Sequence, residues 1–210
     1  MTNTVITIAR QYGSGGRDIG RIVAQRLGIP CLDKEIIAQT MRESGFSEEL
    51  IQKADEKATH SLAYSMSMGS YFFGSQPNYI NQLPLNDQIF MAESEVIKKA
   101  ADKGGCVIIG RCANFLLRDR KNRLSVFIHA DKPHRIDRAI HEYGIPEKKI
   151  GDFLEKQDKQ RAHYHSFYTD EKWNDLENYD LALSSSSLGI EATVEMILAA
   201  AEIVENSAQA

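Results

Sequence analysis

Short apolar runs alternate along the chain with longer stretches in which apolar residues recur at helical spacing. Five of the runs are typical of buried β-strands, and they cover residues 5–9, 30–33, 106–110, 124–129 and 180–184. The run at 106–110 is continuously apolar, which favours a central strand buried on both faces. Because strands and helices alternate, the pattern predicts an α/β domain whose five-stranded parallel sheet is covered by helices on both faces.

The helical stretches carry their apolar residues on one face. One follows residues 5–9 after a short turn, and a helix-rich stretch runs from residue 34 to about residue 58. A further helix is predicted over residues 87–103, where two glycines end it, and another follows residues 130–133 and runs to about residue 143. The last helix carries its stripe at Ile190, Val194, Ile197, Leu198, Ala201 and Val204.

Two segments depart from this alternation. Residues 59–86 mix Met, Phe and Tyr with Ser, Gly, Asn and Pro without a clear period. They form either part of a cap over a substrate site or a connection that packs locally or against a second subunit. Residues 146–165 are strongly charged and helical in pattern, which indicates either a solvated face or a lid that closes over phosphates.

Composition limits the classes of protein that fit. The 210 residues, of which 42% are hydrophobic and 26% charged, suit one globular domain. A net charge of −4 gives no reason to expect a nucleic-acid or membrane partner. The three cysteines lack CxxC spacing, and neither a signal peptide nor a membrane span is apparent. We therefore expect a soluble cytoplasmic protein with reduced thiols.

The candidate chemistry centres on a glycine-rich turn between the first strand and the first helix. Its residues are Gly13, Ser14, Gly15, Gly16, Arg17 and Asp18. In such a turn, backbone N–H groups and a helix N-terminus can converge on a phosphate. The alternative is a tight turn without a ligand, because the pattern G-x-x-x-x-G-K-[ST] is incomplete. If Gly15 is the second glycine of the pattern, Gly16 occupies the lysine position and Arg17 the Ser/Thr position. If the loop is one residue longer, Arg17 occupies the lysine position and Asp18 the Ser/Thr position.

Two further candidates follow strands at the edge where parallel sheets bind ligands. Asp33 closes the second run and is suited to a sugar hydroxyl or a substrate amine, although it could equally be the N-cap of the next helix. Arg111 follows the third run and can hold a phosphate in its planar fork, or form a structural ion pair.

With these pieces in place, the sequence resembles the bacterial cytidylate kinases, and most closely the divergent cytidylate-kinase-like proteins. The resemblance covers nearly the whole chain in order. It rests on the phosphate loop Gly13–Gly16, Leu32-Asp33, Gly110-Arg111, the lid pattern Asp158-Lys159-Gln160-Arg161 and the serine-rich turn at 184–191. It implies a P-loop kinase fold with a core at about 1–38, 104–145 and 174–210, a substrate-binding insertion at 39–103 and a lid at 146–173.

The resemblance also implies the site. ATP and Mg²⁺ would be the cofactors, and the loop from Gly13 to Asp18 would bind the ATP phosphates. Asp33, Arg111 and Asp158 would bind the substrate, while Arg17, Lys159 and Arg161 would be catalytic. The family's loop lysine is replaced by Gly16, and the Asp after its Gly-Arg pair is Cys112, which leaves Asp18 as the candidate metal ligand.

Three functions stay open at this point. The first is transfer of the γ-phosphoryl group of ATP to a nucleoside monophosphate, with CMP or dCMP the leading candidate. The second is a degenerate kinase that binds a nucleotide as a sensing module without turnover. The third is a kinase of another small acceptor. We expect no nucleic-acid or membrane partner, and the aromatic insertion is a candidate surface for a homo-oligomer.

Overall fold

The computed structural model describes residues 2–33, 37, 38, 41, 42 and 84–209. The strands are β1 (Val5–Arg10), β2 (Cys31–Leu32), β3 (Cys106–Ile109), β4 (Arg123–His129) and β5 (Leu181–Ser184). The helices are α1 (Gly16–Leu27), α2 (Leu85–Asp102), α3 (Ala113–Leu116), α4 (Lys132–His141), α5 (Ile150–Thr169) and α6 (Ser185–Gln209). The predicted roles of residues 59–83 lie outside the described residues.

The five strands form one parallel sheet in the order β2-β3-β1-β4-β5, as the sequence predicts. β1 is central: Ile6 pairs with Val107 on one side and with Leu124 on the other. Each strand lies within one residue of its predicted bounds. The sheet therefore places the carboxyl ends of β1 and β3 next to each other, just before the glycine-rich turn and Arg111.

Alternate residues of the central strands fill two separate cores. Ile6 and Ile8 face α1 and α6, where Ile19 and Ile197 are fully buried. Val5 and its neighbours on β3 face α2 and α3, in a second apolar cluster. Burial on both faces explains why β3 is continuously apolar, and it confirms the three-layer arrangement.

The last helix differs from the predicted serine-rich turn followed by a helix. Helical structure already begins at Ser185 and is interrupted at Gly189, whose φ is 75° and ψ 169°. Ser185 Oγ donates to the carbonyl oxygens of Ser14 (2.7 Å) and His129 (3.2 Å). These hydrogen bonds hold the serine segment as a helical turn against the loop. No helix in the described part of the chain has the length and apolarity needed to cross a membrane.

Candidate active site

The glycine-rich loop connects β1 to α1 at the carboxyl edge of the sheet. Gly13 has a φ of 80°, and Gly15, the N-cap of α1, has a φ of 73°. A Cβ atom on Gly13 would lie 2.6 Å from the carbonyl oxygen of Arg135. Glycine is therefore required at position 13 both by the left-handed backbone and by the close approach of α4.

Hydrogen bonds connect the chain at the start of the loop to β4 and to Ser185 of α6. The Gln11 amide donates to the Ile128 carbonyl oxygen (3.0 Å), and the Gln11 side chain accepts from the Ala130 amide (3.2 Å). Ser14 Oγ and the Ser14 amide both donate to the Gln11 carbonyl oxygen, at 2.9 Å and 3.3 Å. These bonds fix the direction in which α1 begins.

The start of α1 suits an anion better than a cation. The first N–H groups of a helix lack acceptors within the helix and carry its partial positive charge. Gly15 offers no side chain to cap them, and the Arg138 guanidinium carbon lies 3.1 Å from where a Gly15 Cβ would be. The residues thus fit the phosphates of a nucleotide. That the amides of Gly13–Arg17 converge on one phosphate stays a prediction.

Asp158, on α5, contacts the loop directly. Its Oδ1 accepts from the Tyr12 amide at 2.7 Å, and its Oδ2 pairs with Arg135 Nη1. Arg161, one turn later, donates to the carbonyl oxygen of Arg10 at 2.9 Å and lies over the Tyr12 ring, 5.3 Å from its centroid. The two outer residues of the predicted lid pattern therefore meet at the loop. Lys159, between them, is exposed on α5.

Arg17 and Asp33 are brought together as an ion pair. Arg17 Nη2 lies 3.0 Å and Arg21 Nη2 2.7 Å from Asp33 Oδ2, and the Asp33 side chain is only 4% exposed. The buried carboxylate at the end of β2 thus has its charge offset by two guanidinium groups from α1. Arg17 therefore lies beside the residue predicted to bind the acceptor's sugar.

Asp18, the candidate metal ligand, turns towards α4. Its Oδ2 lies 2.9 Å from Arg138 Nη2 and accepts a longer hydrogen bond from Tyr143 Oη (3.4 Å). Across the described ranges, no group of three His, Cys, Asp or Glu side chains could hold a metal ion. The metal role of Asp18 stays a prediction. In that role the carboxylate would bind the metal ion and also remain paired with Arg138.

Arg111 lies at the edge of β3 in a left-handed conformation (φ 55°), followed by Cys112 with the same φ. Arg111 Nη2 lies 3.2 Å from Glu93 Oε1, and Tyr164 donates to the other Glu93 oxygen at 3.1 Å. Burial alone would lower the pKa of Arg111, but Glu93 and Tyr164 raise it above its usual value. Burial also raises the pKa of the Cys112 thiol, which stays protonated and offers no charge to a metal.

A cavity of about 230 Å³ opens between β1, β3 and α5, beside the loop. Arg10, Arg111 and Arg161 line it together with Thr7, His165 and Trp173. Sequence reasoning identified Arg111 and Arg161 but not Arg10 or Thr7. The available signal was an arginine as the last residue of a buried strand, directly before the glycine-rich turn.

Comparisons with known proteins show the family and the fold of the chain. The sequence profile of the cytidylate kinase-like family matches residues 5–187. A cytidylate kinase from Archaeoglobus fulgidus is 25% identical in an alignment 205 positions long, which covers 94% of this chain and 94% of that one.

Solved structures give the same fold. An uncharacterised protein from Eubacterium ventriosum superposes with a TM-score of 0.71 at 25% identity, over 95% of this chain and 98% of that one. A gluconokinase from Sinorhizobium meliloti gives a TM-score of 0.57 at 15% identity, over 98% of this chain and 95% of its own. A shikimate kinase from Bacteroides thetaiotaomicron gives 0.55 at 13% identity, over 95% and 98% of the two chains.

Proposed function

Because the chain belongs to the cytidylate kinase-like family, we propose that it transfers the γ-phosphoryl group of ATP to a nucleoside monophosphate, with CMP or dCMP as the leading acceptor. The observation that carries the proposal is the convergence of Arg111 and Arg161 on one cavity directly beside the glycine-rich loop. Phosphoryl transfer depends mainly on positioning and on offsetting the charge of the transferred group, and this arrangement supplies both.

The proposed roles follow the positions of the side chains. The backbone from Gly13 to Asp18 binds the donor phosphates, and Arg111 binds the phosphate of the acceptor. Asp33 binds the acceptor's sugar beside Arg17, whose guanidinium supplies positive charge near the loop. ATP provides the phosphoryl group, and Mg²⁺ is held chiefly by the ATP phosphates and water. No general base is required, because the acceptor phosphate is already an oxyanion.

The segment that includes α5 acts as the lid in this proposal. Asp158 orients the loop through the Tyr12 amide and Arg161 through the Arg10 carbonyl, so lid position and loop position are coupled. Arg161 then faces the transferred group from the cavity side. Lys159 contributes only when movement of α5 brings its exposed side chain inward.

A second function is favoured by one observation: Gly16 stands in the place of the loop lysine, and Arg17, its nearest replacement, is engaged with Asp33. A degenerate kinase would bind ATP and use the bound state as a signal. It would show nucleotide binding by calorimetry and no turnover with any acceptor. The gluconokinase and shikimate kinase neighbours motivate including gluconate and shikimate among the acceptors tested.

The experiment is a transfer screen with ATP and Mg²⁺ over nucleoside monophosphates, gluconate and shikimate, followed by ³¹P NMR. We expect product with CMP or dCMP. Arg111→Ala should raise the acceptor's KM by roughly thirtyfold and the donor's KM far less, because a charged hydrogen-bonding group is lost at the acceptor only. Arg26→Ala, an exposed arginine at the opposite end of α1, is the matched control. Equal effects on both KM values would place Arg111 elsewhere.

A further inference from the structure

Arg10 is the last residue of β1, and its side chain crosses between the loop and the end of β3. A Cβ on Gly16 would lie 2.6 Å from Arg10 Cβ, and a Cβ on Gly110 would collide with Arg10 Nη1. Glycine at these two positions leaves a channel that the arginine fills. The side chain thus runs from Gly16, the place of the missing loop lysine, to Gly110, the residue before Arg111, and the guanidinium lies at the Gly110 end.

This guanidinium has no carboxylate within ion-pair distance among the residues that the structure describes. The other arginines near the loop lie within ion-pair distance of a carboxylate: Arg17 of Asp33, Arg111 of Glu93, Arg135 and Arg161 of Asp158, and Arg138 of Asp18. Arg10 has three guanidinium groups nearby, and the Asp33 carboxylate, which is already paired with Arg17 and Arg21, offsets them only in part. Burial and the positive charges of Arg161, Arg111 and Arg17 lower the pKa of Arg10 to about 9. A partly buried charge without a close counter-ion is costly, so an anion should be present in the working state.

Thr7 provides a second, independent observation at the same cavity. Its side chain is 1% exposed, and its Oγ1 makes no hydrogen bond within the described part of the chain. Thr7 lines the cavity from β1, as Arg10 does. A buried hydroxyl without an acceptor is uncommon and indicates a missing hydrogen-bond partner. An oxyanion in the cavity would satisfy Thr7 and Arg10 together.

We propose that Arg10 is a substrate-binding residue that holds the phosphate of the acceptor together with Arg111, with Thr7 Oγ1 as a neutral donor at the same site. This inference rests on the proposed function, whose acceptor it specifies as a phosphate monoester. The third guanidinium, Arg161, comes from α5 and couples phosphate binding to the lid. A dianionic phosphate matches this crowding of positive charge better than a singly charged carboxylate does.

The binding test uses inorganic phosphate as the probe, so that it does not depend on turnover. Wild type, Arg10→Met, Arg10→Lys and the control Arg26→Ala are titrated by calorimetry. We expect Arg10→Met, which retains most of the side-chain volume, to weaken phosphate binding by roughly thirtyfold. Arg10→Lys should lie between it and wild type, because an ammonium keeps the charge and loses the planar fork. Arg26→Ala should match wild type.

Thermal unfolding tests whether the charge of Arg10 lacks a close counter-ion in the protein without ligand. Without ligand, Arg10→Met should unfold at the same temperature as wild type or above it, because a repelled guanidinium is removed. Added phosphate should raise the midpoint of wild type but not that of the variant. Unchanged phosphate affinity in Arg10→Met, or a wild type that phosphate neither binds nor stabilises, would overturn the inference.

Kinetics separate this inference from the proposed function. If Arg10→Met transfers the phosphoryl group with an unchanged acceptor KM, Arg10 does not bind the acceptor, and the proposed function is unaffected. If phosphate binding depends on Arg10 but the protein transfers no phosphoryl group to any acceptor, the phosphate site is supported and the proposed kinase function is contradicted.

Discussion

Arg135 and Arg138 on one side of the glycine-rich loop differ from Arg10 on the other side in their ion pairs. On the side of α4, Arg135 and Arg138 pair with Asp158 and Asp18, so their charges are offset within the chain. On the cavity side, three guanidinium groups act on Arg10, and the one carboxylate that acts on it, Asp33, is already paired with Arg17 and Arg21. An arginine without a carboxylate within ion-pair distance therefore indicates a ligand more directly than one that the chain pairs itself.

The largest expected effect is on the α4 side. Arg135 and Asp158 are only 8% and 16% exposed, so solvent screens their pair little. Asp158→Ala leaves Arg135 without its carboxylate and the Tyr12 amide without its acceptor. We expect a loss of about 3 kcal/mol in the free energy of unfolding, measured by urea denaturation. A loss below about 1 kcal/mol would mean that the pair behaves as a surface ion pair.

Arg17→Ala tests the charge beside the loop. If Arg17 supplies the charge of the absent lysine, kcat should fall by roughly a hundredfold, as measured in the CMP transfer assay. The fold should be retained, because the Arg17 side chain is 41% exposed and Arg21 still lies 2.7 Å from Asp33.

Arg26→Ala, on the same helix, is again the control. Full activity in Arg17→Ala would show that Arg17, like Arg135, serves the structure and not catalysis. Arg10 would then be the positively charged residue nearest to Gly16, which stands in place of the loop lysine.

The smallest effect concerns the cavity itself. His165 lines it, and burial lowers the pKa of this imidazole below 6.5. Below about pH 6.5 the unfolded chain therefore binds a proton that the folded chain binds only at lower pH. Stability should fall as the pH decreases through this range.

His165→Gln should reduce that slope in urea denaturation measured between about pH 7.5 and 5.5. His163→Gln, on the exposed face of the same helix, is the control. An identical slope in His165→Gln and wild type would show that His165 is not held in its neutral form.

The sheet was predictable because its strands are buried on both faces. Residues such as Val107 and Ile108 point to opposite cores, so every position of the run is apolar and the run is visible in the sequence. The short helix α3 was not predicted. Its entry uses left-handed backbone at Arg111 and Cys112, neither of which is glycine, so the usual composition signal is absent.

The site was predictable only in part, because side-chain pairing depends on tertiary structure. Strand ends and the resemblance identified Asp33, Arg111 and Arg161. The ion pair between Arg17 and Asp33 joins two elements through the packing of α1 against the sheet, and no local pattern encodes it. Arg10 was missed because the argument for it depends on its surroundings: two glycines make room for its side chain, and no described carboxylate lies within ion-pair distance of it.

The hydrogen bond from Ser185 to the Ser14 carbonyl has a consequence for synthesis of the protein. The first strand leaves the ribosome early, yet its neighbour β4 ends at residue 129 and the support of the loop comes at residue 185. Contacts between such distant parts of the chain form late, since their closure must wait for the intervening segment. The nascent protein should therefore acquire its ordered glycine-rich loop only after residue 185 has left the ribosome.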